Sequence, residues 1–493
     1  MKTSQACSTA LSSQHNRLSG KLGTAGIVFM VVAAAAPLTV VNGNTPLALG
    51  LGNGAMAPLG FLFASFVLFL FSVGFVAMTP HVKEAGAFFT YVGTGLGPRA
   101  GQATAFVALI AYTAIQLGIY GFFGWAAAEA MTTIGGPSLP WWLYAGGALV
   151  VVAALGYRDI ELSSKVLAVA LILEIGVVIV MNAFIVLEPS GSALGILPAV
   201  PAATGDWGPF GIAVLFSVTG FIGFEATAVF RDEARDPDRT IPRATYWAVF
   251  IIGGFYTLSC WCLVYAWGPD TVHAVANDYL SNGGNMVLDT ARFYTGRVLT
   301  DIMEVLLLTS LVACILSFHN IVARYQFVLA NFDILPSVFS KVHHSHGSPH
   351  VSSLIQSASA LVLVALCALS GASPLVGVFG SMAGIATVGM VLLMLLTSVA
   401  TVVFFYRSPS LAQGRVVTTR VVPVIACLLL TFILYLVLGN FTQVTGLSVA
   451  VSTVLAVIPI GAFVIGFIAI RECSKRQLDA LIGGEPMPER AVH

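Results

Sequence analysis

Charged side chains are scarce in this chain. Asp, Glu, Lys and Arg together make up 9% of its 493 residues, and the formal net charge at pH 7 is zero. A soluble globular protein carries about 25% charged residues. The shortage excludes the soluble class and indicates a protein that spans a membrane several times, while the balanced charge argues against nucleic acid as a partner.

Several motifs are also absent. The seven cysteines include no CxxC pair, and a free cysteine within an apolar segment behaves as a small hydrophobic residue. We therefore predict no disulfide, metal or cofactor. The chain has no GxxxxGK[ST] loop, which argues against ATP-driven pumping. Residues 1–22 are polar and show no apolar core of a cleavable signal peptide.

Long apolar runs account for most of the sequence, which is 57% hydrophobic. A helix needs about 20 mostly apolar residues to cross a membrane. On this rule we predict twelve membrane spans, numbered 1 to 12 in chain order, at 24–53, 57–79, 100–131, 139–157, 163–187, 209–230, 242–268, 300–331, 351–371, 374–405, 417–439 and 446–470.

The positions of Lys and Arg predict the orientation. With the N-terminus inside, 20 of the 22 basic residues fall in cytoplasmic segments, as the positive-inside rule requires. The other two, Arg292 and Arg297, lie in the longest external loop, between spans 7 and 8. We expect an integral protein of the plasma (inner) membrane with both termini cytoplasmic.

Two of the twelve spans carry helix-breaking residues in their middle. Span 6 holds Gly220 and Gly223, and span 1 holds Pro37, Asn42, Gly43, Asn44 and Pro46. Paired interrupted helices in corresponding positions of two repeats indicate a transporter binding site near the bilayer midplane. Close helix packing is the alternative explanation for the glycines.

Two carboxylates lie within apolar spans. Glu225 follows the break in span 6, and Glu174 lies midway along span 5. A charge at mid-bilayer costs about 3 kcal/mol on insertion scales, so each is a candidate for proton or cation coupling. The alternative for each is a neutral, hydrogen-bonded carboxyl that holds its helix against its neighbours.

Other polar residues give weaker signals. Asn42, Asn44 and Gln116 either line a cavity or make interhelical hydrogen bonds. Glu304, near the end of span 8, is expected at the membrane interface. A histidine cluster lies in a loop without cysteine or nearby acids, so we predict no metal site there; its members are His343, His344, His346 and His350.

The segment FSVTGFIGFEATAVFRDEARDPDRTIPRA (216–244) resembles the sixth helix and following loop of the amino acid–polyamine–organocation (APC) superfamily. Stretches 81–98, 158–176 and 317–350 also match, and the resemblance covers about residues 20–405. It implies an all-α LeuT-type fold of about 12 transmembrane helices, with helices 1 and 6 discontinuous. The expected parts are a cytoplasmic tail (1–22), a core (23–405) with inverted five-helix repeats at about 24–187 and 209–405, two extra helices (406–471) and a second tail (472–493).

The resemblance also implies a binding site. In relatives, the carboxylate of the solute rests on backbone N–H groups of the unwound helix one, and its amine rests on carbonyls of helices one and six; helix ends carry the matching partial charges. Here AAAAPLT replaces the usual Gly-Ser-Gly. The implied substrate-binding residues are Ala34, Ala35, Ala36, Pro37, Leu38, Thr39, Thr219, Gly220, Phe221, Gly223 and Phe224.

The same resemblance suggests roles for the two acids. Glu225 matches the acid that proton-coupled relatives place beside the site, and Glu174 falls where many sodium-independent relatives carry a lysine. Tyr112 and Phe221 are the candidate gating aromatics, with packing as their alternative role.

These features predict a secondary active transporter for an amino acid or related amine, working by alternating access and either proton-coupled or an exchanger. Its partners would be the small-molecule substrate, the lipid bilayer, and a proton or sodium ion. A transporter-like channel or solute sensor is the alternative. Ser317, Phe318 and His319 are candidate residues for an enzyme, but no intramembrane catalytic motif accompanies them, so we predict no enzyme.

Overall fold

The fold is described from a computed structural model of the chain. The structure describes residues 23–82, 87–158, 164–187, 208–225, 227, 234–331, 334–343 and 348–469. These residues are almost entirely helical, as the long apolar runs predict. The two terminal tails expected from the sequence lie outside the described residues.

All twelve predicted spans correspond to helices. Ten of these helices are long and apolar enough to cross a membrane, and those of spans 4 and 6 are shorter apolar helices. The predicted ends agree to within a few residues except in span 6, whose helix stops early at its predicted break. The observed bounds are Thr24–Gly50, Ala57–Met78, Pro98–Thr133, Trp141–Tyr157, Ser164–Leu187, Gly208–Thr219, Pro237–Trp267, Arg297–Asn331, His350–Leu369, Pro374–Arg407, Val422–Gly439 and Val449–Ile468.

The segment between spans 7 and 8 contains helices that were not predicted from the sequence. It forms two short helices, Val272–Asn282 and Met286–Thr295. The Asn285 side chain caps the start of the second helix by accepting hydrogen bonds from two backbone N–H groups, the usual role of an N-cap asparagine. Burial and the neighbouring Asp289 carboxylate raise the pKa of Tyr279 to about 12, so its hydroxyl stays protonated and donates to Asp289 Oδ2 at 3.0 Å.

The first of these helices covers the end of span 1. His273 Nδ1 lies 3.0 Å from the carbonyl oxygen of Leu49. Gly50 lies so close to the short helix that a Cβ atom there would be 2.7 Å from Leu280 Cδ1. The contact satisfies a carbonyl at the C-terminal end of a helix, where partners are otherwise lacking.

Burial separates the interior helices from the peripheral ones. In span 3, 72% of the most apolar window is buried inside the protein, against 28% in spans 9 and 12. The interior helices are therefore the ones that can enclose a site, and the peripheral ones present their apolar side chains to lipid.

Buried polar side chains join spans 3, 8 and 9. Gln356 Nε2 donates to Gln116 Oε1 at 2.6 Å, and Gln326 Nε2 donates to Gln356 Oε1 at 3.1 Å. His319 Nε2 lies 2.9 Å from Ser353 Oγ. Gln116 therefore makes interhelical hydrogen bonds, one of the two roles that the sequence allowed, and His319 belongs to this network.

Gly156 of span 4 packs directly against the His319 ring. A Cβ atom at Gly156 would lie 2.5 Å from His319 Cδ2, closer than packed carbon atoms approach. We expect Gly156→Ala to lower the free energy of unfolding by about 1–3 kcal/mol, as overpacking of a core does, and to lower the melting temperature of the purified protein. Gly146→Ala in the same helix is the matched control, because a Cβ atom there would have no other atom within 4 Å. Equal melting temperatures for the two variants would contradict this packing.

Candidate functional site

Span 1 breaks at Ala36. This residue has φ 44°, in the left-handed region, where a non-glycine residue is strained. Pro37 explains the break, because a proline disfavours helical geometry at the residue before it and is well suited to begin a new helix. The helix Thr24–Ala34 therefore ends, and a second segment starts at Pro37.

Span 6 breaks after Thr219. A turn runs from Gly220 to Glu225, and within it Gly223 has φ 112°, a conformation that side chains rarely adopt. The predicted discontinuity of spans 1 and 6 is confirmed, and in each span it coincides with the residue type that physically causes it.

The two breaks lie against each other. A Cβ atom at Gly220 would be 2.8 Å from Val40 Cγ1, so only glycine permits this approach. Asn44 Nδ2 donates to the Phe216 carbonyl at 2.8 Å, and Tyr256 Oη donates to the Ala35 carbonyl at 3.0 Å. Hydrogen bonds to backbone carbonyls next to the breaks thus join span 1 to spans 6 and 7.

A small cavity lined by buried residues lies where the breaks meet. Its volume is about 30 Å³, well below the roughly 300 Å³ or more of typical ligand pockets. Spans 1, 3, 6, 8 and 10 all contribute to its wall, which is mostly apolar. The lining residues are Ala35, Ala36, Thr39, Val40, Asn44, Ile115, Ile119, Thr219, Ile222, Cys314, Phe318 and Phe379.

Glu225 ends the turn of span 6, close in sequence to the cavity-lining Ile222, and is 4% exposed. Its Oε1 accepts a hydrogen bond from Tyr112 Oη at 2.5 Å, and its Oε2 accepts one from the Gly223 backbone N–H at 2.9 Å. The Tyr112 ring in turn packs against Phe318 and Tyr325. The Glu225 carboxyl therefore links the break of span 6 to span 3. Its partners among the described residues are a hydroxyl and a backbone N–H, neither of which carries a positive charge.

Glu174 of span 5 is the second buried acid near the breaks. It is 5% exposed and interacts with the Ser310 hydroxyl of span 8 and with the Leu38 backbone of span 1. Among the described residues its Oε2 has no hydrogen-bond partner. Thr39 Oγ1 also lies 3.5 Å from Ser310 Oγ. An unsatisfied carboxylate oxygen in a buried polar site is costly and suits a position that receives a proton or a cation.

Four of the residues implied by the resemblance line the cavity, namely Ala35, Ala36, Thr39 and Thr219. Phe221 packs against Tyr256 with ring centroids 5.9 Å apart. The others lie at the breaks without lining the cavity: Pro37, Leu38, Gly220, Gly223 and Phe224. Ala34 ends the first helix of span 1, and its side chain lies outside the described residues.

Much of the cavity wall was not predicted from the sequence. Ile115 and Ile119 of span 3 and Phe379 of span 10 line it, yet they sit in apolar runs where nothing distinguishes them from core residues. Thr387 Oγ1 lies 2.5 Å from Thr219 Oγ1 and joins span 10 to the break of span 6. The only sign of a role for Thr387 in the sequence is a hydroxyl within an apolar span, which is a weak indication of a site residue.

The remaining polar candidates have ordinary partners. Asn42 Nδ2 donates to the Leu38 carbonyl at 3.0 Å, and Asn44 both lines the cavity and bonds to span 6. Glu304 is partly exposed. The His343 and His350 rings contact each other with centroids 5.2 Å apart, while His344 and His346 lie outside the described residues.

Comparison with known proteins gives a consistent result. The family model described as "Amino acid permease" matches residues 21–476. The low-affinity putrescine importer PlaP of Escherichia coli (strain K12) is 22% identical, over 69% of this chain and 73% of its own length. The branched-chain amino acid permease BcaP of Bacillus subtilis (strain 168) is 23% identical, over 79% and 82%. The gamma-aminobutyric acid permease of E. coli (strain K12) is 23% identical, over 72% and 74%.

Proposed function

The chain belongs to the amino acid permease family, and we propose that it carries an amino acid or related amine by alternating access, coupled to protons or to exchange of a second solute. Family membership makes it an integral membrane transporter rather than an enzyme. The mechanism and the roles of individual residues are the proposed part.

The small buried cavity between the two helix breaks is the observation that supports this proposal most. A carrier needs a site that is sealed from both sides in at least one state, whereas a channel needs a continuous path. The cavity lies where spans 1 and 6 are broken, and a buried carboxyl stands beside each break. Its volume of about 30 Å³ means that the walls must move apart before a solute can enter.

In this proposal the two acids have separate tasks. Glu225, bonded to the Tyr112 hydroxyl and the Gly223 N–H, accepts and releases the coupling proton, and each change alters the contact between span 6 and span 3. Glu174, at the contact of spans 1, 5 and 8, compensates a cation at the break of span 1. Tyr112 and Phe221 act as gates because both are held by ring contacts that opening must break.

A thermal-shift screen of amino acids and amines tests whether the cavity is the solute site. We expect at least one solute, at about 100 times its Kd, to raise the free energy of unfolding by about 2.7 kcal/mol. Thr219→Leu places a larger side chain in the cavity wall and should abolish the shift. Thr309→Leu is the matched control, because Thr309 is exposed on span 8 and should leave the shift intact. A full shift in the Thr219 variant, or no shift with any amine or amino acid, would refute the proposed site.

A further inference from the structure

The backbone N–H groups at the two breaks decide which solutes the site can accept. A carboxylate is bound at a helix break by free N–H groups at the start of the following segment. The residues at both breaks therefore show whether a solute carboxylate has a place to bind.

At the break of span 1, the N–H groups of the four residues from Ala35 to Leu38 are either already engaged or missing. The Ala35 N–H bonds to the Val31 carbonyl, and the Ala36 N–H bonds to the Ala33 carbonyl. Pro37 has no N–H, and the Leu38 backbone interacts with the Glu174 carboxyl. In the second segment, Pro37 therefore offers no donor, and the Leu38 backbone already interacts with a carboxyl of the protein itself.

The break of span 6 is occupied in the same way. The N–H groups of Phe221, Ile222 and Phe224 bond to carbonyls three residues earlier, at 3.0–3.1 Å. The N–H of Gly223 donates to Glu225 Oε2 at 2.9 Å. Among the described residues of this turn, the Gly223 N–H is thus taken by a carboxylate of the chain itself.

The charge of the site points in the same direction. A buried carboxyl lies at each break, Glu225 in the turn of span 6 and Glu174 next to Leu38 of span 1. None of the residues that line the cavity is Lys, Arg or His. In this low-dielectric region a solute carboxylate would find no cation in the cavity wall, so the ammonium of the same solute would have to balance it. An ammonium group would instead be attracted to both acids, and Oε2 of Glu174 has no hydrogen-bond partner among the described residues.

We propose that the solute is an organic amine without a carboxylate, because Glu174 and Glu225 occupy the positions that a solute carboxylate would take. This inference rests on the proposed transport function and narrows its substrate class. The named functions of the similar proteins include both an amine importer and amino acid permeases, so they do not decide between the two classes.

Matched pairs that differ by one carboxylate test the inference. The pairs are putrescine and ornithine, cadaverine and lysine, and isoamylamine and leucine, each measured by thermal shift and by uptake into proteoliposomes containing the purified protein. We expect at least one amine to bind about tenfold or more tightly than its amino acid partner, the order expected for an unpaired buried charge. If the protein transports an amino acid and does not bind the matching amine more tightly, the inference is overturned and the permease function stands. Absence of binding and uptake for both members of every pair would overturn both.

A variant at Glu174 tests the cause of the preference. Glu174→Ala removes the carboxyl that faces the Leu38 backbone, so the ratio of amine to amino acid affinity should fall about tenfold. Glu304→Ala is the matched control, since Glu304 is a partly exposed acid on span 8, and its ratio should stay at the wild-type value. If Glu174→Ala does not fold, the milder Glu174→Gln, which keeps the shape and loses the charge, should lower the ratio in the same direction. An unchanged ratio in a folded Glu174 variant would overturn the assignment.

Discussion

Glu225→Gln is expected to reduce proton-driven uptake by about tenfold or more and to flatten the dependence of uptake on pH. The amide keeps an oxygen that can accept from Tyr112 or from Gly223 N–H, so the break of span 6 retains much of its structure. It has no group that titrates in the working range of the protein, so the coupling proton has no place to bind. The expected loss is therefore that of the coupling proton and not that of the hydrogen bonds at the turn.

The measurement is initial uptake into proteoliposomes at a series of external pH values, with and without an imposed pH gradient. Glu304→Gln serves as the control for loss of an acid within a spanning helix and should keep the wild-type profile. Tyr112→Phe removes the hydroxyl that bonds to Glu225, and we expect its effect to be much smaller in the Glu225→Gln background than in wild type, because residues in one network are not additive. A wild-type pH profile for Glu225→Gln would remove this residue from the coupling mechanism.

Gly223→Ala is the second substitution for which we expect a large effect. Gly223 has φ 112°, where a side chain costs about 1–2 kcal/mol, and its N–H holds the Glu225 carboxyl. Relief of the strain requires the turn to move, which separates this N–H from the carboxyl. We expect uptake to fall about tenfold or more, since small displacements in a site have effects of this order.

A second glycine with positive φ provides the control for strain alone. Gly371, after span 9, has φ 72° and open space at its Cβ position. Gly371→Ala should lower the melting temperature to a comparable extent and leave uptake near the wild-type rate. Equal uptake by the two variants would show that the turn of span 6 has no special role in transport.

The sequence predicts the spans and the breaks well because both depend on local chemistry. A run of apolar residues is sufficient to identify a spanning helix. Pro37 alters the backbone of the residue before it, and Gly223 permits a positive φ at its own position, so these effects can be predicted without knowing the neighbours. The close approach of Gly220 to Val40 depends on packing. The two short helices between spans 7 and 8 escaped prediction because they are not apolar throughout, although Asn285 is a visible N-cap.

The wall of the cavity could not be predicted in the same way. Ile115 and Phe379 become site residues only because spans 3 and 10 pack against the breaks, and an apolar helix gives no indication of which face meets a neighbour. The partners of the two acids depend on packing as well. Tyr112 was predicted as a gating aromatic, and the structure shows in addition that its hydroxyl bonds to Glu225.

Solute counterflow is the most direct test of the central claim that this protein is a carrier with a buried site between spans 1 and 6. Proteoliposomes are loaded with an unlabelled solute identified by thermal shift and diluted into a trace of the same solute carrying a radiolabel. A carrier predicts transient accumulation of label above equilibrium, which Thr219→Leu abolishes and Thr309→Leu preserves. Equilibration without this overshoot would identify a channel, absence of any labelled uptake would identify a sensor, and either result would contradict the carrier mechanism.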